Sequence, residues 1–174
     1  TSSIAAYKAV DLVSRLVKLG SSVNVIMTRN ATRMVTPLTF RSISRNPVVM
    51  DMFAEIADWR PKHISLADKA DIFVIAPATA NIIGKLAHGI ADDFLSTMIL
   101  AATADILVCP SMNSRMFKSP AVQENLRILK ERGFHVMEPG RGELACHTQG
   151  PGRLPEPEDI LEQAMDLLIY KDLS

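Results

Sequence analysis

The side chains of this chain that are best suited to chemistry are a thiol, an imidazole and a carboxamide in three separate segments. Cys146 lies in the glycine-rich residues 140–153, GRGELACHTQGPGR, where a thiol in a polar segment can reach a substrate. His63 opens a short helical pattern, and an imidazole exchanges protons near neutral pH. Asn113 stands between two methionines in PSMNSRMF, and its amide can donate to a carboxylate. The ordinary alternatives are a surface histidine that caps a turn and methionines that simply fill the core.

Small and hydroxyl-bearing residues occupy two further segments. Residues 1–4, Thr-Ser-Ser-Ile, open a helical pattern, and the free N–H groups of a helix N-terminus can bind a phosphate. Residues 77–81, Pro-Ala-Thr-Ala-Asn, would let the backbone approach a flat or phosphorylated ligand closely. Both segments also fit plain helix caps, so neither identifies a ligand by itself.

The elements that must position these residues follow from apolar periodicity. Apolar residues recur at three- and four-residue steps from Ile4 to Val17, which predicts a helix that ends at Gly20. Short β-rich runs predict strands at residues 23–27, 71–76, 105–109 and 134–137. Helical patterns cover residues 79–88, 92–103, 120–132 and 157–170, whereas residues 140–153 are predicted to form an irregular functional loop.

This alternation predicts an α/β fold, a parallel sheet with helices on both faces. Ligands of such sheets bind at the carboxyl ends of the strands, which is where the polar segments lie. The sequence has neither an internal repeat nor a linker, so we expect a single domain over residues 1–174. We also expect a further strand upstream of Ile4 and a loss of residues before Thr1.

Composition excludes several classes of function. The 174 residues balance 19 basic against 19 acidic side chains, which leaves no basic face for nucleic acid. The longest apolar stretch without charge, residues 94–104, is too short to span a membrane. Two cysteines and the absence of a signal peptide favour a cytoplasmic location. Histidine and cysteine spacing predicts no metal site, and the glycine patterns of nicotinamide and nucleoside triphosphate binding are missing.

Taken in order, five segments resemble the flavin-dependent cysteine decarboxylases: SSIAAYKA, HISLADKAD, APATANIIGKLAHGIADDFLST, CPSMNSRMF and LACHTQGPGR. The resemblance runs from Ser2 to about residue 160. It implies a Rossmann-like, flavodoxin-like fold, FMN as the cofactor, and a homo-oligomer (a trimer, or a dodecamer of four trimers) with flavin sites at subunit contacts. Bifunctional members of the family carry a synthetase domain after this one.

The resemblance also implies roles for individual residues. His63, Asn113 and Cys146 would be catalytic, and Asn113 would hold the substrate carboxylate in a pocket walled by Met112, Met116 and Phe117. The residues implied to bind the cofactor are Ser2, Ser3, Ile4, Thr28, Thr79, Ala80, Asn81, Ser96, Thr97 and Ser111, with the hydroxyls of Ser96 and Thr97 near the phosphate.

The cysteine-containing segment resembles the branch of the family that acts on 4′-phosphopantothenoylcysteine in coenzyme A biosynthesis. There, oxidation of the substrate CH₂–SH to a thioaldehyde provides the electron sink for loss of CO₂, because FMN accepts the hydride. The resulting ene-thiol(ate) would be protonated by Cys146 as the hydride returns, giving 4′-phosphopantetheine. His63 would assist proton removal or stabilise charge.

Three other functions compete with this one. A peptidyl-cysteine decarboxylase would stop at the enethiol and would not need Cys146. A non-catalytic flavoprotein that acts as a regulatory or binding subunit would not need His63 or Asn113. A flavin prenyltransferase would carry basic residues that are not evident here. The chain departs from the family pattern in Ser2, where glycine is usual, in Phe117, where tryptophan is common, and in His147-Thr148, where Gly-Asp is usual.

Overall fold

A computed structural model describes residues 1–51, 62–143 and 149–172 of the chain. Its helices are α1 (Ala6–Lys18), α2 (Pro37–Ser44), α3 (Lys62–Lys69), α4 (Ala80–His88), α5 (Phe94–Leu100), α6 (Ser114–Phe117), α7 (Pro120–Glu131) and α8 (Pro157–Asp172), with a 3-10 turn at Ala31–Arg33. Its strands are β1 (Ile72–Ala78), β2 (Asp105–Pro110), β3 (His135–Val136), β4 (Gly140–Glu143) and β5 (Gln149–Arg153).

The central sheet is parallel and runs in the order β1-β2-β3. Val74 of β1 lies opposite Leu107 of β2, and Leu107 in turn lies opposite His135 of β3. The middle strand is buried almost throughout, as expected for a parallel sheet that is covered on both sides. The predicted α/β architecture is therefore confirmed.

Helices cover both faces of this sheet because neighbouring residues of a strand point to opposite sides. Val108 joins a core cluster with Ile83 of α4, Met98 of α5 and Leu129 of α7. The adjacent Leu107 joins a second cluster with residues of α1 and α8, including Leu12 and Ile160. Burial of these apolar side chains on the two faces holds the strand ends in one place.

Two predicted elements are wrong. Residues 23–27 form no strand, because their parallel pairing is limited to a single bridge between Ile26 and Val49. The described part of residues 140–153 is not an irregular loop, since β4 and β5 pair in antiparallel fashion. Their glycines serve the strand geometry: Gly150 and Gly152 have φ of +155° and +137°, conformations that other residues rarely adopt.

Helix boundaries and short helices also differ from the predictions. The helix predicted at residues 92–103 begins only after Asp93, whose side chain caps α5, and it ends at Leu100. Helix α2 was not predicted, although Thr36 accepts a hydrogen bond from the Thr39 N–H at its start and Pro37 follows. No helix in the described ranges is long and apolar enough to cross a membrane.

Candidate functional site

Three of the predicted site segments meet at the carboxyl edge of the parallel sheet. Ala78 and Pro110 are partners at the ends of β1 and β2, and the Ser111 N–H donates to the Ala78 carbonyl at 2.9 Å. Thr1 joins this edge because its hydroxyl donates to the Pro77 carbonyl at 2.6 Å and accepts from the Thr79 N–H at 3.2 Å. The edge therefore brings together residues 1–3, 77–81 and 110–113, although more than 70 residues separate the first segment from the second.

A cleft of about 260 Å³ opens beside these segments. Four of the predicted cofactor residues line it, namely Ser2, Thr28, Thr79 and Asn81. Thr79 also caps α4, since its hydroxyl accepts from the Ile82 N–H at 3.4 Å. The wall thus presents hydroxyl and amide groups, together with the start of a helix, to whatever occupies the cleft.

The same cleft contains a charged cluster that the sequence did not predict. Lys85 of α4 lies 2.6 Å from a carboxylate oxygen of Asp92 and 2.8 Å from one of Asp93. These two hydrogen bonds, the one to Asp92 first, raise the pKa of the Lys85 ammonium. Burial alone would raise the pKa of the Asp93 carboxyl, but hydrogen bonds from Lys85 and Ser96 outweigh it and hold that pKa below the ordinary 3.8.

Asp93→Asn is expected to make the protein less sensitive to acid. A carboxyl whose pKa is depressed by folding adds stability above its ordinary pKa and loses that stability as the pH falls towards the folded value. Asparagine keeps the cap of α5 but cannot titrate. Urea unfolding at about pH 7 and pH 3 should therefore show a smaller loss of stability in the variant than in the wild type.

The matched control is Asp92→Asn, which keeps both the Lys85–Asp93 bridge and the cap of α5. It should retain the larger acid-induced loss of the wild type. Identical acid sensitivity in the wild type and Asp93→Asn would contradict the depressed pKa of the Asp93 carboxyl.

Ser96 and Thr97 occupy positions inside α5 rather than on the wall of the cleft, which Phe94 and Leu95 form there. The fully buried Ser96 hydroxyl donates to the Asp93 carboxylate at 2.9 Å and lies 3.2 Å from the Asp93 N–H, which donates to it. The Thr97 hydroxyl is buried and has no hydrogen-bond partner among the described residues. Their contact with a cofactor phosphate stays a prediction.

A second part of the site is built where the segment after β2 meets strand β5. The Met112 N–H donates to the Gly152 carbonyl at 2.9 Å, and a Cβ at Gly152 would overlap the Met112 carbonyl oxygen. In the same way, a Cβ at Gly150 would overlap the Ser114 hydroxyl. These glycines let β5 dock directly on the segment that carries Asn113.

Asn113 itself has a structural role in addition to its predicted catalytic one. Its side-chain oxygen accepts from the Arg115 N–H at 2.8 Å and so caps α6. Met112 and Phe117 are half-buried against the larger core cluster, whereas Met116 is exposed. Of the predicted pocket residues, Met116 is thus the one left uncovered within a single chain.

The remaining cofactor residues lie around the same edge. The Ser3 and Ser111 hydroxyls are buried and 2.8 Å apart, so these two predicted residues contact each other. Ala80 begins α4 directly after Thr79, and Ile4 is 67% exposed beside the edge.

Of the side chains of Cys109, Cys146 and His63, the structure describes only that of Cys109. Cys109 is fully buried in β2, where burial raises the pKa of its thiol to about 12, so it is a core side chain. Cys146 lies outside the described residues. His63 belongs to α3, but its side chain is outside what the structure describes. The described residues contain no cluster of metal-binding side chains.

A single-domain parallel α/β fold with a polar cleft at the carboxyl ends of its strands is typical of nucleotide- and cofactor-binding proteins. The sequence profile of the family described as Flavoprotein matches residues 1–168. The chain belongs to this family, and the resemblance found in the sequence is confirmed.

Two individual relatives show which members of the family the chain is similar to. The chain is 51% identical over 161 residues to the coenzyme A biosynthesis bifunctional protein CoaBC of Bacillus subtilis, covering 92% of this chain and 40% of that protein. It is 39% identical over 168 residues to a probable phosphopantothenoylcysteine decarboxylase of Streptococcus mutans, covering 95% of this chain and 94% of that protein. The chain therefore spans about two fifths of the bifunctional relatives but nearly all of the shorter one.

Solved structures agree on the fold. A PPC decarboxylase mutant complexed with pantothenoylaminoethenethiol superposes with a TM-score of 0.84 at 28% identity, covering 98% of this chain and 94% of that one. The FMN-dependent cysteine decarboxylase SpaF also gives 0.84, at 30% identity, covering 97% of this chain and 93% of that one. Both are similar to this chain over its whole length, so the flavodoxin-like fold is confirmed.

Proposed function

We propose that this chain catalyses the FMN-dependent decarboxylation of 4′-phosphopantothenoylcysteine to 4′-phosphopantetheine in coenzyme A biosynthesis. The observation that carries the proposal is the convergence of Thr1–Ser3, Thr79–Asn81 and the Asn113 segment on one edge of the sheet. The near full-length match to the Streptococcus mutans relative supports the choice of substrate.

The cleft fits part of a flavin mononucleotide. Hydroxyls and amides of Ser2, Thr28, Thr79 and Asn81 suit a polyol, a phosphate and the polar edge of a ring. When bound, FMN supplies reversible acceptance of a hydride, which these side chains cannot provide. The volume of about 260 Å³ is slightly below the range of about 300–1,000 Å³ typical of ligand pockets, so the described residues of one chain form only part of the enclosure.

A second copy of the chain would complete this enclosure. Ile4 and Tyr7 follow the cleft residue Ser2 closely in the sequence and are 67% and 63% exposed, and Met50 on the cleft wall is 45% exposed. Exposed apolar side chains next to a binding site are typical of an interaction surface. The family resemblance favours a homotrimer or a dodecamer of four trimers, and the cysteine content favours a cytoplasmic location.

The reacting side chains belong to three segments. Asn113 is assigned to the orientation of the substrate carboxylate by hydrogen bonding, a positioning contribution to the loss of CO₂. His63 is assigned to proton removal or charge stabilisation, and Cys146 to protonation of the enethiol product. Met112, Met116 and Phe117 are assigned to the wall of the substrate pocket.

The proposal is tested by reconstituting the chain with FMN and following the product by mass spectrometry. The wild type should be yellow and should convert 4′-phosphopantothenoylcysteine to 4′-phosphopantetheine. Cys146→Ser should still release CO₂ but accumulate the oxidised, enethiol-type product, because the proton donor is missing. Cys109→Ala is the matched control: it removes the buried thiol and should leave the product unchanged.

Each outcome separates one function from the others. Failure to bind FMN under any reconstitution condition would exclude all the flavin-dependent functions. A normal yield of 4′-phosphopantetheine from Cys146→Ser would exclude the role assigned to Cys146. Enethiol as the wild-type product from a peptide that ends in cysteine would favour the peptidyl-cysteine decarboxylase instead.

A further inference from the structure

The two hydroxyls that meet at the sheet edge link segments with different proposed tasks. Ser3 follows Ser2 of the cofactor cleft, and Ser111 lies two residues before Asn113. Their hydroxyl oxygens are 2.8 Å apart, and the residues are only 9% and 5% exposed. A buried hydroxyl left without a partner is costly, so this pair resists separation.

Each serine also makes a hydrogen bond with the backbone of another element. The Ser3 hydroxyl accepts from the Ala5 N–H at 3.3 Å, which ties it to the beginning of α1. The Ser111 N–H donates to the Ala78 carbonyl at the end of β1, and the next N–H, that of Met112, donates to the Gly152 carbonyl of β5. The pair therefore joins the beginning of α1 to the short segment that carries Asn113.

We propose that the Ser3–Ser111 hydroxyl pair is a positioning device that couples occupancy of the cofactor cleft to the placement of Asn113. This inference rests on the proposed function. It assigns the Ser111 hydroxyl to a link between the two parts of the site, because that hydroxyl contacts the Ser3 hydroxyl.

The expected consequence is a thermodynamic coupling between the cofactor and the substrate. If each ligand favours the same arrangement of the pair, each raises the affinity of the other by one common factor. Loss of one hydrogen bond should reduce that factor by about 2- to 10-fold. Because Ser111 is also a predicted cofactor residue, the affinity for FMN alone is measured separately, and the coupling is the ratio of the FMN affinities with and without the second ligand.

The experiment measures FMN dissociation constants by calorimetry, with and without a non-reacting probe. A suitable probe is 4′-phosphopantothenoylserine, which keeps the carboxylate for Asn113 but carries a hydroxyl in place of the thiol. In the wild type the probe should tighten FMN binding, and in Ser111→Ala this effect should fall by about 2- to 10-fold. The Ser3→Ala and double variants should lose no more coupling than Ser111→Ala, because all three remove the same bond.

The matched control is Ser44→Ala. Ser44 is a buried serine of α2 whose hydroxyl bonds are local to Asn46, and it is not among the residues that line the cleft. This variant should lower thermal stability and keep the wild-type coupling. Coupling that survives unchanged in Ser111→Ala, or that is absent from an FMN-binding wild type, would overturn the inference. Absence of FMN binding in the wild type would instead refute the proposed function on which the inference rests.

Discussion

Asn113→Asp is expected to lower the turnover rate of decarboxylation by about 100-fold or more while the fold stays intact. The aspartate retains an oxygen that can accept from the Arg115 N–H, so the cap of α6 survives. It loses the amide donor, however, and places a negative charge where the substrate carboxylate should bind. Turnover is measured at saturating substrate. The melting temperature and the FMN dissociation constant, measured on the same variant, show whether the loss of turnover comes from the site or from damage to the fold.

Asn125→Asp is the matched control for this substitution. Asn125 belongs to α7, and its side-chain oxygen lies 3.0 Å from His88 Nε2. The same chemical change there should leave turnover unaltered. Wild-type turnover in a folded, FMN-loaded Asn113→Asp variant would contradict the role of Asn113.

Gly152→Ala is expected to destabilise the protein by about 3 kcal/mol, because the new methyl group meets backbone atoms and the residue has φ of +137°. For a chain of this length that corresponds to a fall in melting temperature of roughly 10 °C. The docking of β5 on Met112 should loosen as well, so the KM for the substrate should rise more than the dissociation constant for FMN. Thermal melting and steady-state kinetics measure both.

Gly133→Ala is the control that separates the effect of the close contact with Met112 from the effect of the positive φ. Gly133 also has a positive φ, +85°, but no heavy atom lies within 4 Å of a Cβ built there. It should cost only about 1 kcal/mol and should leave the KM unchanged. Equal melting temperatures for the two variants would show that the close approach to Met112 contributes nothing.

The elements with strong periodicity were predictable from the sequence. Strands β1 and β2 are nearly continuous apolar runs, and α4 and α7 each bury one apolar stripe, so their identity follows from the pattern alone. The convergence of residues 1–3, 77–81 and 110–113 on one edge was predictable too, since the carboxyl ends of parallel strands meet at the same edge of a sheet.

The missed features depend on contacts between distant residues. Glycines at 150 and 152 look like loop residues until β5 is seen to dock on Met112 and Ser114. The Ser3–Ser111 pair joins residues 108 positions apart, which no local pattern encodes. The Lys85–Asp93 bridge spans a helix end and the turn after it, and a sequence shows these only as ordinary surface charges.

Strand prediction at residues 23–27 failed for a related reason. The apolar run is real, and Val23 and Val25 pack against a core cluster with α1 and α2. A strand also needs backbone partners along its length, and Val49 offers only one bridge. Apolar character therefore predicted burial correctly but not the hydrogen bonding.

The central claim is most directly tested by the stoichiometry of the reaction under anaerobic conditions. FMN-loaded protein is mixed with 4′-phosphopantothenoylcysteine, and CO₂ and the product are quantified together by mass spectrometry. The account predicts one CO₂ for each 4′-phosphopantetheine formed, no requirement for an external oxidant or reductant, and no CO₂ from the FMN-free protein. Release of CO₂ at the same rate without FMN, or no release from the fully loaded protein, would contradict it.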